Sequence, residues 1–563
     1  MNKMKKLLRT MLAGCVALLL TGCGGETEVP EPAADETIQE ETMTNESIII
    51  PTVYDNAAVV TEDRTEAGNV RRWQRQVFTA DGGNNDMPTE NAVIISPWHT
   101  LTIDGVAVPV YTARCGKGSH SFAWIDVKAG VTEFSLDVTL SVDKNAEKCV
   151  ILPESRGVTA EMNDKTVTAS ISAYGSYTFT FAEDKDDAVT EPTLAPLTLM
   201  VTEEVPLEVP DGYKVKEIEP GYHSDLALEF SRPNMVYVMK PGLHEISSIR
   251  VPSNSILYIE RGAYLQVTDR VDASGNQNRT TAIHMDEAEN AKVISRGLLD
   301  CGKLMGADGK FKHVFNASRS KNVSVEGLTI INANTWSMCF YNCDNAVAER
   351  NLLLGYRMYS DGIMMSECRN SAGRYNFVRT GDDAMEFKGT GWHGKAVGEN
   401  CVYEYNDLWT DKGAGYCLTW ESSCDMKNMV FRNNSVGFAQ PTWTDRNTAL
   451  DCLLGTDAGT RWGDVLFENI EIYRVISPNV INNQITGAGA ILDNITFRNI
   501  SVKAVDDGVY AYRMHFSADG GSISNITIEN MDFCGKILTS DDKNNGKIVK
   551  NQGGEFFDAL TIK

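Results

Sequence analysis

Seven short strands of alternating polarity, each entered through Asn or Asp, recur toward the C-terminus. They are VSVEGLTI after Asn322, AVAERNLLL after Asn345, CVYEYNDLW after Asn400, MVFRNNSV after Asn428, VLFENIEI after Asp464, ITFRNISV after Asn494 and ITIENMDF after Asn525. Equivalent positions lie 30 residues apart from Gly297 to Gly327 and from Asn469 to Asn499, and 31 apart from Asn499 to Asn530, with steps near 23 to 28 between. That period is too short for a strand, helix and strand, and helical periodicity is nearly absent, which removes leucine-rich and helical solenoids. A strand-turn-strand-turn-strand coil fits it, so the chain is expected to be all-β and to stack as a right-handed parallel β-helix over residues 206–563. Asn at the turns can pair with the backbone and with the Asn one coil away. Cys343, Cys368, Cys401 and Cys424 share a phase of consecutive repeats and are read as an interior stack of thiols.

Ahead of the repeat, residues 48–205 hold short runs such as AVIIS, SFAWIDV and TEFSLDVTLSV, broken by Gly, Asp and Asn, which predict a β-sandwich. Further upstream, three Lys and one Arg precede an apolar run from Met11 to Leu20 that ends in Leu20-Thr21-Gly22-Cys23. Residues 1–22 therefore read as a secretory signal, and the junction resembles a bacterial lipobox. The resemblance implies lipidation of Cys23 and a bacterial membrane as partner. Residues 23–47 form an acidic linker, and the expected place of the protein is the cell surface or the periplasm-facing membrane. A net charge of -24 argues against nucleic acid and slightly against strongly anionic glycans. With no Cys-x-x-Cys and dispersed His, neither a metal nor a cofactor is expected, and the chain is expected to be a monomer.

The chemistry concentrates in RMYSDGIMMSECRNSAGRYNFVRTGDDAMEFKG, residues 357–389. Asp361 precedes Asp382 and Asp383 by 21 and 22 residues, about one coil, so the three carboxylates should share a face with adjacent strands roughly 4.8 Å apart. Glycoside hydrolysis with inversion needs an acid and a base about 6.5 to 9.5 Å apart with a water between them. One coil of rise plus lateral offset supplies that gap. Crowded carboxylates also raise at least one pKa, as a general acid requires. Asp382 is assigned as the acid, with Asp361 and Asp383 holding and deprotonating the water. Taken one at a time, the same motifs are also turn signals or a calcium site.

With Asn334-Thr335-Trp336, Ser360-Asp361-Gly362 and Gly381-Asp382-Asp383-Ala384, the repeat resembles the pectin-lyase-like β-helix hydrolases. The nearer resemblance is to the dextranase and isopullulanase family (glycoside hydrolase family 49), which sets a β-sandwich before the β-helix; the more distant one is to the polygalacturonases (family 28). Both imply the same roles for Asp382, Asp361 and Asp383. The Gly-His-Gly and Arg-Ile-Lys segments of polygalacturonases are missing, which points away from galacturonan. Residues 402–428 look like the dextranase-family segment and imply substrate contacts for Asn406, Asp407 and Trp420. Trp392, Glu421, Lys388 and His393 complete the expected binding set, with Trp336 the aromatic expected to be structural. The expected activity is hydrolysis of a polysaccharide, a dextran-type or other neutral α-glucan first. A polygalacturonase-like hydrolase or a β-helix lyase on a uronate glycan is the alternative enzyme, and a non-catalytic glycan-binding protein the alternative outside enzymes.

Overall fold

The computed structural model describes residues 48–50, 58–59 and most of 94–563; the longest later stretches outside it are 183–194, 224–231, 303–312, 441–447 and 506–513. The signal peptide, Cys23, the acidic linker, Asn334 and Trp443 lie outside the described residues. Among the described residues there is no α-helix, and none long and apolar enough to cross a membrane.

From Lys214–Ile218 onward the chain is a parallel β-helix. A typical coil contributes two strands to a mainly parallel 23-stranded sheet and a third to a parallel 11-stranded sheet, and in the coils of Met426–Ala439, Arg461–Val475 and Ile491–Val505 the first two run together as one long strand. The coil that carries Lys321–Glu326 and Thr329–Ala333 on the first sheet, for example, carries Met338–Tyr341 on the second. Alternation decides which side chains turn inward. Met385 and Phe387 join the solenoid core, which leaves Glu386 and Lys388 on the outer face of the 11-stranded sheet.

The turns explain the recurrent Asn. Asn322, Asn345, Asn400 and Asn428 all have φ between 53° and 58°, a region that L-residues avoid and Asn tolerates best after Gly. Their amides stack from coil to coil: Asn322 Nδ2 donates to Asn290 Oδ1 at 3.0 Å, and Asn345 Nδ2 to Asn322 Oδ1 at 3.0 Å. A second ladder is fully buried. Asn351, Asn376 and Asn406 each donate through Nδ2 to the Oδ1 of the next Asn, ending at Asn434, at 2.9, 2.9 and 3.2 Å. Asn376 also accepts the Asn351 N–H at 2.9 Å and donates to the Ala348 carbonyl at 3.0 Å. Asn376→Ala leaves these buried groups unpaired and is expected to cost about 1–3 kcal/mol, read as a lowered urea midpoint with an unchanged slope.

Cys343, Cys368 and Cys401 are buried in the solenoid core, and each thiol donates to a carbonyl of a preceding coil, at 3.5, 3.4 and 3.3 Å. Cys424 is buried apart from them, against Gly389 and Gly391. All described cysteines are free thiols.

Two sheets precede the solenoid, one of eight strands and one of five. In the five-stranded sheet, Leu136–Val142 alternates buried and exposed side chains, as one covered face requires. Gly118–Val127 of the eight-stranded sheet is buried along nearly its whole length. The solenoid is the reason: Tyr111, Phe122, Trp124 and Met200 form one apolar cluster with Tyr264, Leu298, Ile331, Leu352, Leu354 and Phe377. Polar pins reinforce the contact. Arg296 Nε donates to Asp126 at 2.9 Å, and Arg379 pairs with Asp411 at 3.0 Å while approaching His120 Nδ1 at 3.2 Å.

Candidate active site

Asp361 enters the outer strand Ile363–Ser366, and Asp382 and Asp383 enter the next one, Met385–Gly389. These strands pair in parallel with Ile363 opposite Met385, so the one-coil spacing in sequence becomes side-by-side placement. The flanking glycines are fixed by close approach. A Cβ on Gly362 would lie 2.1 Å from the Ala384 carbonyl oxygen, and one on Gly413 would lie 2.3 Å from the Asp382 carbonyl carbon. Asp382 Oδ1 accepts the Asp383 N–H at 3.0 Å, and Asp383 Oδ1 accepts the Ala414 N–H at 2.7 Å. The carboxylates are thus oriented from behind by backbone amides. Asp361 and Asp383 are buried, whereas Asp382 is half-buried.

Their environments differ in charge. Burial raises Asp361 well above the ordinary carboxylate range, with the charges of Asp382 and Glu386 adding to the rise. Burial and the neighbouring Asp383 raise Asp382 well above it too. Burial raises Asp383 as well. Lys388 opposes these shifts. Its ammonium lies 3.7 Å from Asp361, 3.1 Å from Glu386 and 2.8 Å from Glu421, and 4.4 Å from the centre of the Trp336 ring. Glu386, fully buried, is pushed up to about 8, chiefly by desolvation. Glu386 escaped the motif reading, although the alternation in MEFKG places it beside Lys388 on the outer face.

Asp383, Glu386 and Cys417 offer ligand atoms within 4.8 Å of one another. The Lys388 ammonium already supplies positive charge beside Glu386, and burial raises the Cys417 thiol well above its ordinary pKa.

Aromatic rings flank the carboxylates. The rings of His313 and Trp336 stack at 5.0 Å and 14°, and those of Trp336 and Trp392 at 5.4 Å and 10°. Trp392 is 58% exposed, and the adjacent His393 packs on Tyr341 at 4.6 Å. Desolvation lowers His313 to about 4, so it stacks as a neutral ring. On the other side, Trp420 is 43% exposed and lies against Gly455, where a Cβ would come within 2.6 Å of its ring. Its φ is 54°, at a register shift where the strand Tyr416–Ser422 departs from Met385–Gly389. A bulky residue in that conformation stores strain of the kind that gathers at functional sites.

The structure therefore gathers Asp361, Asp382, Asp383, Lys388, Glu421, Trp392, His393 and Trp420 around one surface. It does not bring Asn406 or Asp407 there, which corrects the expectation of substrate contacts for both. Asn406 belongs to the buried amide ladder. Asp407 faces the eight-stranded sheet, paired with Arg156 at 2.7 Å and hydrogen-bonded by Ser176 and Ser435. The aromatic assignments shift as well: among the described tryptophans from Trp336 onward, the buried ones are Trp409 and Trp462, while Trp336 is half-buried and carries Lys388 on its face.

No known protein family's profile matches the chain, and no curated protein sequence matches it. Among solved structures, it is similar to Dex49A from Penicillium minioluteum, with a TM-score of 0.62 at 12% identity over 85% of this chain and 96% of that one. A polygalacturonase from Erwinia carotovora ssp. carotovora aligns with a TM-score of 0.44 at 14% identity, over 64% of this chain and 98% of that one. At 12% identity the likeness to Dex49A is one of fold alone, that of a parallel β-helix.

Proposed function

We propose that the protein is an inverting glycoside hydrolase that cleaves a neutral α-glucan. The observation that carries this reading is the asymmetry among three carboxylates on adjacent coils. Asp382 is half-buried, raised in pKa and outside the ion pairs that Lys388 makes with Asp361, Glu386 and Glu421, which suits a group that must hold a proton and deliver it to the glycosidic oxygen. Asp361, paired with Lys388, suits the anionic base. Asp383, held by the Ala414 N–H, helps position the water. Attack by that water on the anomeric carbon, with proton transfer to the leaving oxygen, inverts the anomer in one step. A neutral substrate is favoured by the charge around the site, where, among the described residues, the Lys388 ammonium is already shared by Asp361, Glu386 and Glu421. The exposed faces of Trp392 and Trp420 suit sugar rings. The sequence resemblance to the dextranase family and the fold shared with Dex49A favour an α-glucan.

The test is a reducing-end assay on dextran, other α-glucans and polygalacturonate, followed by proton NMR of the first product. The expected outcome is cleavage of a neutral α-glucan with inversion. First product of retained configuration would replace the water-activating role with a nucleophile, and an unsaturated product end would make the protein a lyase. Export and lipid anchoring at Cys23 belong to the same proposal. Labelled fatty acid should enter the wild-type chain and be absent from Cys23→Ala.

A further inference from the structure

The outer face of the 11-stranded sheet continues toward the N-terminal coils, away from the carboxylates. Strand register stacks Asp286, Ser318, Tyr341, Ser366 and Lys388 in one column and His284, Asn316, Cys339, Met364 and Glu386 in the next. Four steps separate Lys388 from Asp286, roughly 19 Å at about 4.8 Å each. Trp392 and His393 fold back over the middle of this surface, onto Trp336 and Tyr341.

At the far end stands a polar cradle. Asp286 Oδ1 accepts from Asn316 Nδ2 at 3.0 Å and from Ser318 Oγ at 2.6 Å, while His284 Nδ1 lies 2.9 Å from Oδ2. The Asp286 side chain remains 41% exposed. Three partners thus hold a half-exposed carboxylate in one orientation, although little stability is gained from such pairs at a surface. Beside it, Asn316 is 7% exposed, and its Oδ1 has no hydrogen-bond partner. A buried carbonyl oxygen left unpaired costs free energy that a ligand donor would recover. Arg319, the nearby cation, is engaged by Glu287 at 2.8 Å. Among the described residues the cradle therefore presents acceptors while its neighbouring cation is already paired, the complement of sugar hydroxyls and the opposite of a uronate pocket.

We propose that the surface from Trp392 to Asp286 is a binding arm for neutral hexose units, holding the glycan several residues from the bond that is cleaved. Trp392 takes the apolar face of a sugar ring, and Asp286 and Asn316 accept hydroxyl hydrogens farther along. The direction of this arm rests on the reading of Asp361, Asp382 and Asp383 as the point of cleavage.

The test measures binding by calorimetry, and turnover in parallel, for α-1,6- and α-1,3-linked glucose oligosaccharides of two to eight units. It uses the full chain, Asp286→Ala and Trp392→Ala. The expected result is affinity that rises with length in the wild type and falls by about tenfold for the long oligomers in each variant, toward that of the disaccharide. Trp392→Ala keeps the test decisive if Asp286→Ala fails to fold. Affinity independent of length, equal losses for short and long oligomers, or no binding by the wild type would each overturn the arm. Normal hydrolysis without a length effect removes the arm and leaves the hydrolase reading intact. Length-dependent binding that both variants weaken, without any hydrolysis, removes the hydrolase reading and keeps the arm.

Discussion

Asp382→Asn is expected to lower turnover by about 10²- to 10⁴-fold, the contribution of a positioned general acid, with the urea midpoint almost unchanged. The amide keeps the shape of the carboxylate and its Oδ1, which accepts the Asp383 N–H. What it lacks is the proton for the leaving oxygen. Glycan affinity should survive, because the flanking rings and hydroxyl partners are untouched. Single-turnover kinetics and calorimetry on the same preparation separate these terms, and turnover near the wild-type rate would remove Asp382 from the mechanism. The wild-type pH profile carries the same signature. An acid catalyst works while protonated, so activity falls as pH rises through its pKa. Burial and the charge of Asp383 raise the Asp382 pKa, so the alkaline limb should lie well above the range of an ordinary carboxylate.

The second large effect is on stability. Lys388→Met removes the cation shared by Asp361, Glu386 and Glu421 and leaves buried carboxylates unpaired, a change expected to cost about 3–5 kcal/mol. The sign of its pH dependence follows from linkage. Without the ammonium, Asp361 and Glu386 have folded-state pKa values still further above their unfolded values. They retain stability below the unfolded pKa and lose it as pH climbs through the folded one. The deficit should therefore be small in mild acid and grow toward neutral pH, as urea melts at several pH values would show. Catalysis should shift in the same direction: Lys388 holds Asp361 down, so in the variant the acid limb of the rate profile moves to higher pH. A deficit that shrinks on going from mild acid to neutral pH would mean that Lys388 does not neutralise this cluster.

The period of the alternating strands was sufficient to read the solenoid, because a coil of fixed length must bring the same phase of sequence to the same wall. Asn322 and Asn345 were legible as turn residues for the same reason, and Asp361 with Asp382 and Asp383 followed from one coil of separation. Glu386 was legible in principle, since a residue two positions before Lys388 in a strand shares its face. Other assignments lay beyond local pattern. Asn406 reads as a polar group before an aromatic strand, and only stacking shows that its amide serves the ladder from Asn351 to Asn434. Asp407 beside it is engaged by Arg156 and Ser176, more than 200 residues earlier in sequence. Trp409 is buried while Trp336, expected to be structural, is half-buried, because the eight-stranded sheet covers one wall of the solenoid and leaves the other open. The sequence by itself determined the repeat, the turns and the three aspartates, all set by periodicity along the chain. The tertiary structure alone decided which wall is covered, which ring meets solvent and which of the three aspartates pairs with Lys388, because burial and ion pairing depend on distant segments meeting in space.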